Sequence, residues 1–184
     1  ICAVIGHLNS GVSIAAAPIY AGKGIAQIAI STNPKYTELG FPTTLRMVAN
    51  DNLQAAAVAS FSADQLGGKR YATLDDGTPY GKDLAEGTNK RLEAAKKSVV
   101  LRQSFDDKTG LAAKLKAENV DVIISALNDF QVLALLEALK KINYTTVRLL
   151  GSDTAKTTDL QKGAGIIDGI YATSPILEAK EFTA

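Results

Sequence analysis

Five short stretches carry polar side chains able to hold a small charged molecule: Gly6 to Ser10, Ser31 to Pro34, Asp75 to Tyr80, Ser125 to Asp129 and Gly151 to Thr154. Ser10 and Thr32 offer hydroxyls with backbone N–H groups close by, and Ser10 stands where a helix would open, at the end that favours a carboxylate. Asp153 offers a fixed negative charge suited to an ammonium. Tyr80 offers an aromatic wall with a polar tip. A carboxylate holder, an ammonium holder and an aromatic wall make the minimum set for a free α-amino acid. Each residue also has a plainer use. Ser10, Asn128 with Asp129, and Asp153 would serve as helix N-caps, Thr32 beside Asn33-Pro34 as turn chemistry, and Tyr80 as packing.

Catalytic readings find less to stand on. His7 is the only histidine and Cys2 the only cysteine, so neither a Cys–His pair at hydrogen-bond reach nor a zinc-ligand spacing is visible. His7 reads as a structural residue at a strand end, and Cys2, inside the apolar run Ile1 to Ile5, as a buried strand residue. No GxxxxGK[ST] or GxGxxG loop occurs, and no cofactor is called for. Asp75-Asp76 follows a strand as a phosphoacceptor would, but no lysine is placed to assist it. Asp106-Asp107 reads as a solvated pair, and Gly163-Ala164-Gly165 as a turn.

The stretches that must position these residues alternate. Strands are expected at Cys2–Ile5, Ile25–Ile30, Thr44–Val48, Arg70–Leu74, Val99–Gln103, Val120–Ala126, Arg148–Leu150 and Gly169–Ala172. Helices are expected at Ser10–Ala21, with Ser10 as N-cap, at Asn50–Leu66 burying Leu53, Ala57, Phe61 and Leu66, at Tyr80–Ala95, at Leu111–Glu118, at Asp129–Ile142 and at Leu160–Gly163. This is an α/β pattern of βαβ units and a parallel sheet. Such sheets take ligands beyond the carboxyl ends of their strands, where all five polar stretches fall.

Composition narrows the classes. The 184 residues are 46% hydrophobic and 21% charged, with 20 basic and 19 acidic residues and a net charge of +1. No basic stripe points to nucleic acid, and no apolar run reaches the roughly 18–20 residues of a membrane helix. The chain opens inside a strand-like run with no initiating Met or signal peptide, and is expected to be part of something longer.

In order and spacing, Gly6-His7-Leu8-Asn9-Ser10, Ser31-Thr32-Asn33-Pro34 with Thr37, Leu45-Arg46, Asp75 to Tyr80-Gly81, Glu118-Asn119-Val120-Asp121 and Gly151-Ser152-Asp153 resemble the leucine/isoleucine/valine-binding proteins. These are type I periplasmic binding proteins that serve branched-chain amino acid ABC transporters. The resemblance implies two α/β lobes that close on ligand, with residues 1–48 an incomplete first lobe, 49–174 the second lobe and 175–184 a segment returning to the hinge. It implies a periplasmic receptor, not an enzyme, that binds an amino acid and delivers it to a membrane permease. By the same resemblance Ser10 grips the substrate carboxylate, and Thr32 binds carboxylate and ammonium together. The backbone of Ser31 lines the same site, Tyr80 comes from the other lobe, and Asp153 faces the ammonium. Asn128 stands near a position often aromatic in the family. A ligand-sensing regulatory domain of the same fold is the alternative, and an open α/β enzyme a more distant one.

Overall fold

The computed structural model describes residues 1–106, 110–163, 165–167 and 169–176. Of the expected hinge-returning segment, residues 177–184 lie outside these, as do Asp107 and Ala164. Two parallel sheets organise the chain. The first, in spatial order β1-β2-β3, is formed by β1 (Ala3–Ile5), β2 (Ala26–Ala29) and β3 (Thr44–Arg46). Helix α1 (Ser10–Ala21) connects β1 to β2, and the one-turn α2 (Lys35–Glu38) precedes β3. Between Arg46 and Asp51 the chain changes sheet. There follow α3 (Asp51–Asp64), β4 (Arg70–Asp75), α4 (Pro79–Ala94), β5 (Ser98–Ser104), α5 (Leu111–Ala117), β6 (Val122–Ala126), α6 (Asp129–Lys141), β7 (Arg148–Gly151) and β8 (Gly169–Ala172), with two 3-10 turns at Asp153–Ala155 and Asp159–Gly163. These strands form the second sheet in the order β5-β4-β6-β7-β8, every pairing parallel.

The second sheet is covered on both faces, which is why β6 is apolar nearly end to end. Ile123 packs with Leu115, Val132, Leu136 and Leu139 on the α5/α6 side. Its neighbours Val122 and Ile124 point the other way, towards Val58 and Leu92 of α3 and α4. Burying a side chain of this size contributes roughly 1.5–3 kcal/mol. The first sheet has a smaller core of Ala17, Ala29 and Tyr36.

Caps fix where several helices begin. Asn50 Oδ1 accepts from the N–H groups of Asn52 and Leu53 at the head of α3. Thr78 Oγ1 accepts from Gly81 N–H at the head of α4, with Pro79 in the first position, where its missing N–H costs nothing.

Four expectations need correction. Asn9, not Ser10, is the N-cap of α1, and Ser10 is the first helical residue. Cys2 is exposed rather than buried, as are Ile1 and Ile5, and among the described residues β1 pairs with β2 alone. In α3, Leu53, Ala57 and Phe61 are exposed, and Asp51, Gln54, Ala55, Val58, Ala59 and Ser62 are buried instead. The helix is so rich in alanine that its apolar pattern does not choose a face, and hydrogen bonding decides. The short α2 and the 3-10 turn at Asp153 lie where only loops were expected.

Candidate ligand site

The carboxyl ends of both sheets face one cavity of about 540 Å³, within the range of small-molecule sites. It is lined by Leu8, Asn9, Ser10, Gly11 and Val12 at the start of α1, Ile30 and Thr32 after β2, Asp76, Thr78, Pro79 and Tyr80 around the start of α4, Asn128 at the start of α6, and Asp153, Thr154 and Thr157 after β7. Ser10, Thr32, Tyr80, Asn128 and Asp153 are thus brought together from distant parts of the chain.

Ser31 is placed differently. Its hydroxyl lies 2.5 Å from Ser13 Oγ and donates to the His7 carbonyl at 2.8 Å, and the residue is not part of the cavity lining. Ser31 therefore ties β2's loop to the loop before α1. The His7 ring is stacked on Tyr20, with Nε2 3.2 Å from the phenol oxygen. Arg46 braces the loop from the other side, donating to the carbonyls of Ser31 at 2.8 Å and Asn33 at 3.1 Å and to Thr37 Oγ1 at 2.7 Å.

Two polarities meet in the cavity. The first is an end rich in hydrogen-bond donors. Ser10, buried at the head of α1, accepts from Asn33 N–H at 3.3 Å and keeps its own hydroxyl proton to donate. The helix N-terminus beside it adds unpaired N–H groups. The second is an acidic end. Asp153 Oδ1 accepts from the Tyr80 hydroxyl at 2.5 Å. Burial, followed by the adjacent Asp153 charge, pushes the Tyr80 phenol far above its ordinary range, so Tyr80 acts as a neutral donor. Neither Lys nor Arg is among the described residues lining the cavity. Leu8, Val12 and Ile30 present exposed apolar surface to it.

Asn128 caps α6, its backbone N–H held by Gln131 Oε1 at 3.0 Å. The paired acids after β4 are turn-formers: Asp75 Oδ1 accepts from Gly77 N–H at 2.8 Å, and Asp76 Oδ1 from Thr78 N–H at 2.9 Å. Among the described residues no group of three or more His, Cys, Asp or Glu could hold a metal ion, and no helix is long and apolar enough to cross a membrane.

Behind the lining lies a residue that the sequence pattern does not mark. Asp51 is 3% exposed. Its carboxyl is pushed up to about 6, chiefly by burial, with the Asp153 charge adding to the rise while Thr32, Gln54 and Arg46 oppose it. Asp51 Oδ2 has no hydrogen-bond partner. As the first residue of an Ala-rich helix, Asp51 reads from sequence as an ordinary N-terminal acid.

Comparison with known proteins agrees with this architecture. The family model described as "Periplasmic binding protein" matches residues 1–182. The Leu/Ile/Val-binding protein homolog 1 of Brucella abortus is 38% identical over 125 residues, covering 65% of this chain and 34% of that protein. The crystal structure of a leucine binding protein, LivK, from Thermotoga maritima superposes with a TM-score of 0.87 at 24% identity, covering 95% of this chain and 51% of that one. An ABC transporter substrate-binding protein from Desulfitobacterium hafniense, solved in complex with Leu, gives a TM-score of 0.71 at 28% identity over 84% of this chain and 47% of that one. The chain therefore spans about a third of the length of the curated relatives it matches first and about half of the solved structures.

Proposed function

We propose, from the premise that this chain belongs to the periplasmic binding protein family, that it forms part of an extracytoplasmic receptor that captures a free amino acid, of the branched-chain type, and hands it to the permease of an ABC transporter. The observation that carries this reading is the meeting of a carboxylate-seeking helix end and a carboxylate in one cavity with apolar walls. Ser10 and Thr32 would hold the amino acid's carboxylate through hydroxyls and helix N–H groups. Asp153, steadied by Tyr80, would hold its ammonium, and Leu8, Val12 and Ile30 would cover an aliphatic side chain. Asn128 would border the same space from the head of α6. Ser31 would contribute by fixing the loop that carries Thr32.

The chemistry is capture without turnover. An α-amino acid is a zwitterion, and only a site that complements both charges repays the cost of desolvating them. We place the boundary between the two lobes at about residue 48, with residues 1–48 in one lobe and 49–174 in the other. Ala49 N–H donates to the Pro175 carbonyl at 3.1 Å, so the two connecting segments run side by side there. The receptor would act outside the cytoplasmic membrane.

The test is a thermal-shift screen of the twenty amino acids and common organic acids against the full-length protein, since a ligand that binds only the native state raises Tm. Shifts confined to leucine, isoleucine and valine support the reading. Shifts produced only by organic acids without an amino group would exclude it.

A further inference from the structure

The helix α3 opens with two polar residues that point inwards, Asp51 at 3% and Gln54 at 5% exposure. A buried amide is stable only when its hydrogen bonds are made, and those of Gln54 lead to particular places. Its Nε2 donates to Asp51 Oδ1 at 3.0 Å. Its Oε1 accepts from the Thr173 hydroxyl, just beyond β8, at 2.6 Å and from the backbone N–H of Asp153 at 3.3 Å. Asp51 in turn donates its backbone N–H to the Thr32 carbonyl at 2.8 Å. An unbroken chain of contacts thus runs Thr32–Asp51–Gln54–Asp153, from a loop of the first sheet to a loop of the second. It joins the two loops assigned above to the ends of the amino acid. Tyr80 holds the carboxylate of Asp153, whereas Gln54 holds its main chain.

We propose that Gln54 is a positioning residue, which fixes where Asp153 stands relative to Thr32 and so fixes the separation at which the site accepts a ligand's ammonium and carboxylate. The inference rests on the receptor reading and deepens it. Gln54 is not part of the cavity lining, and its effect passes through Asp153.

Two measurements on the full-length protein test it. The first is a double-mutant cycle read by calorimetric titration with L-leucine. Gln54→Met, which keeps the volume and removes the hydrogen bonds, should weaken leucine binding by about three- to tenfold in the wild-type background. It should change binding less than about twofold in the Asp153→Ala background, because the group it positions is gone. Equal weakening in both backgrounds would mean general damage to the hinge and would overturn the proposal. The second is amide exchange without ligand. Gln54→Met should speed exchange at Asp153 at least about tenfold and leave Ile123 in β6 unchanged, and unaltered exchange at Asp153 would overturn the proposal even if leucine proves not to be a ligand. If Gln54→Met does not fold, Gln54→Glu serves. It keeps the acceptor for Asp153 N–H and Thr173 but replaces the donor to Asp51 with a second carboxylate. Relative to wild type, exchange at Asp153 should therefore be faster at pH 7.5 than at pH 5, and exchange matching wild type at both would overturn the proposal. Failure of the wild-type protein to bind leucine bears only on the receptor reading.

Discussion

Asn33 Nδ2 donates to Asp83 Oδ2 across 2.9 Å, tying the loop after β2 to the second turn of α4. The same amide reaches the Pro79 carbonyl at 3.2 Å, and Lys35 Nζ meets the same carboxylate oxygen at 2.8 Å. The contact joins the units built on the two sheets beside the cavity. Its components differ in weight. Asn33 is fully buried, so its bond exchanges little with water. Lys35 is 62% exposed in its side chain, where solvent and salt screen the pair.

Removing this latch should loosen the contact between the units built on the two sheets. Asp83→Ala is expected to raise the radius of gyration of the unliganded full-length protein in small-angle scattering and to speed leucine dissociation roughly three- to tenfold, the worth of about one such hydrogen bond. Lys35→Ala should change the dissociation rate by less than about 2.5-fold. Burial acts to raise the Asp83 carboxyl, but the hydrogen bonds from Lys35 and Asn33 outweigh it and hold the group below its ordinary value. Its contribution is therefore present above the unfolded value of about 3.9 and is lost only as pH falls through the lowered one. Scattering at pH 5 should match that at pH 7.

Asp51 has the opposite sign. Its folded carboxyl sits at about 6 against an ordinary 3.8, so the native state binds the extra proton between those values. The associated stability is fully present below 3.8 and is lost as pH rises through about 6. A rise of about 2 pH units corresponds to about 3 kcal/mol. Asp51→Asn cannot ionise and keeps an acceptor for Gln54. Denaturant unfolding at pH 4 and pH 7.5 should show the variant gaining up to about 3 kcal/mol on wild type between the two. A difference that does not vary with pH would contradict the burial account of Asp51.

Tyr80→Phe deletes the hydroxyl that steadies Asp153 and keeps the buried ring. Leucine affinity should fall by about tenfold, near the value of a hydrogen bond to a charged acceptor, with Tm shifting by only a few degrees. An affinity equal to wild type would show that Asp153 needs no help from Tyr80.

Gly81 admits no side chain. A Cβ there would stand 2.3 Å from Asp76 Oδ1, 2.9 Å from Asp76 N and 3.0 Å from the Ala126 carbonyl, two of them backbone atoms. Gly81→Ala should cost about 1–3 kcal/mol of stability in denaturant unfolding. It should also weaken ligand binding, because the shift falls next to Tyr80.

Much of this fold is legible in the sequence because its signals are periodic. The limits of α1 agree at both ends, and the apolar run around Ile123 marks a strand covered on both faces. Polar residues that fall at strand ends are likewise legible as a group, and all but Ser31 of the six site candidates line the cavity. What escapes is set by tertiary bonding. Gln54 and Asp51 lie on a helix whose alanines leave its inner face undecided, and they turn inwards because Thr173, Asp153 and Thr32 offer partners from distant parts of the chain. Ser31 turns away because His7 and Ser13 claim its hydroxyl.

The most direct test of the receptor reading is calorimetric titration of L-leucine into the full-length protein and into its Asp153→Asn variant. The prediction is one saturable site per chain in the wild type and an affinity at least about tenfold weaker in the variant, through loss of the charge-assisted contact to the ammonium. Leucine binding with equal affinity in both proteins would remove Asp153 from the site. Absence of binding by leucine, isoleucine and valine alike would contradict the branched-chain assignment itself.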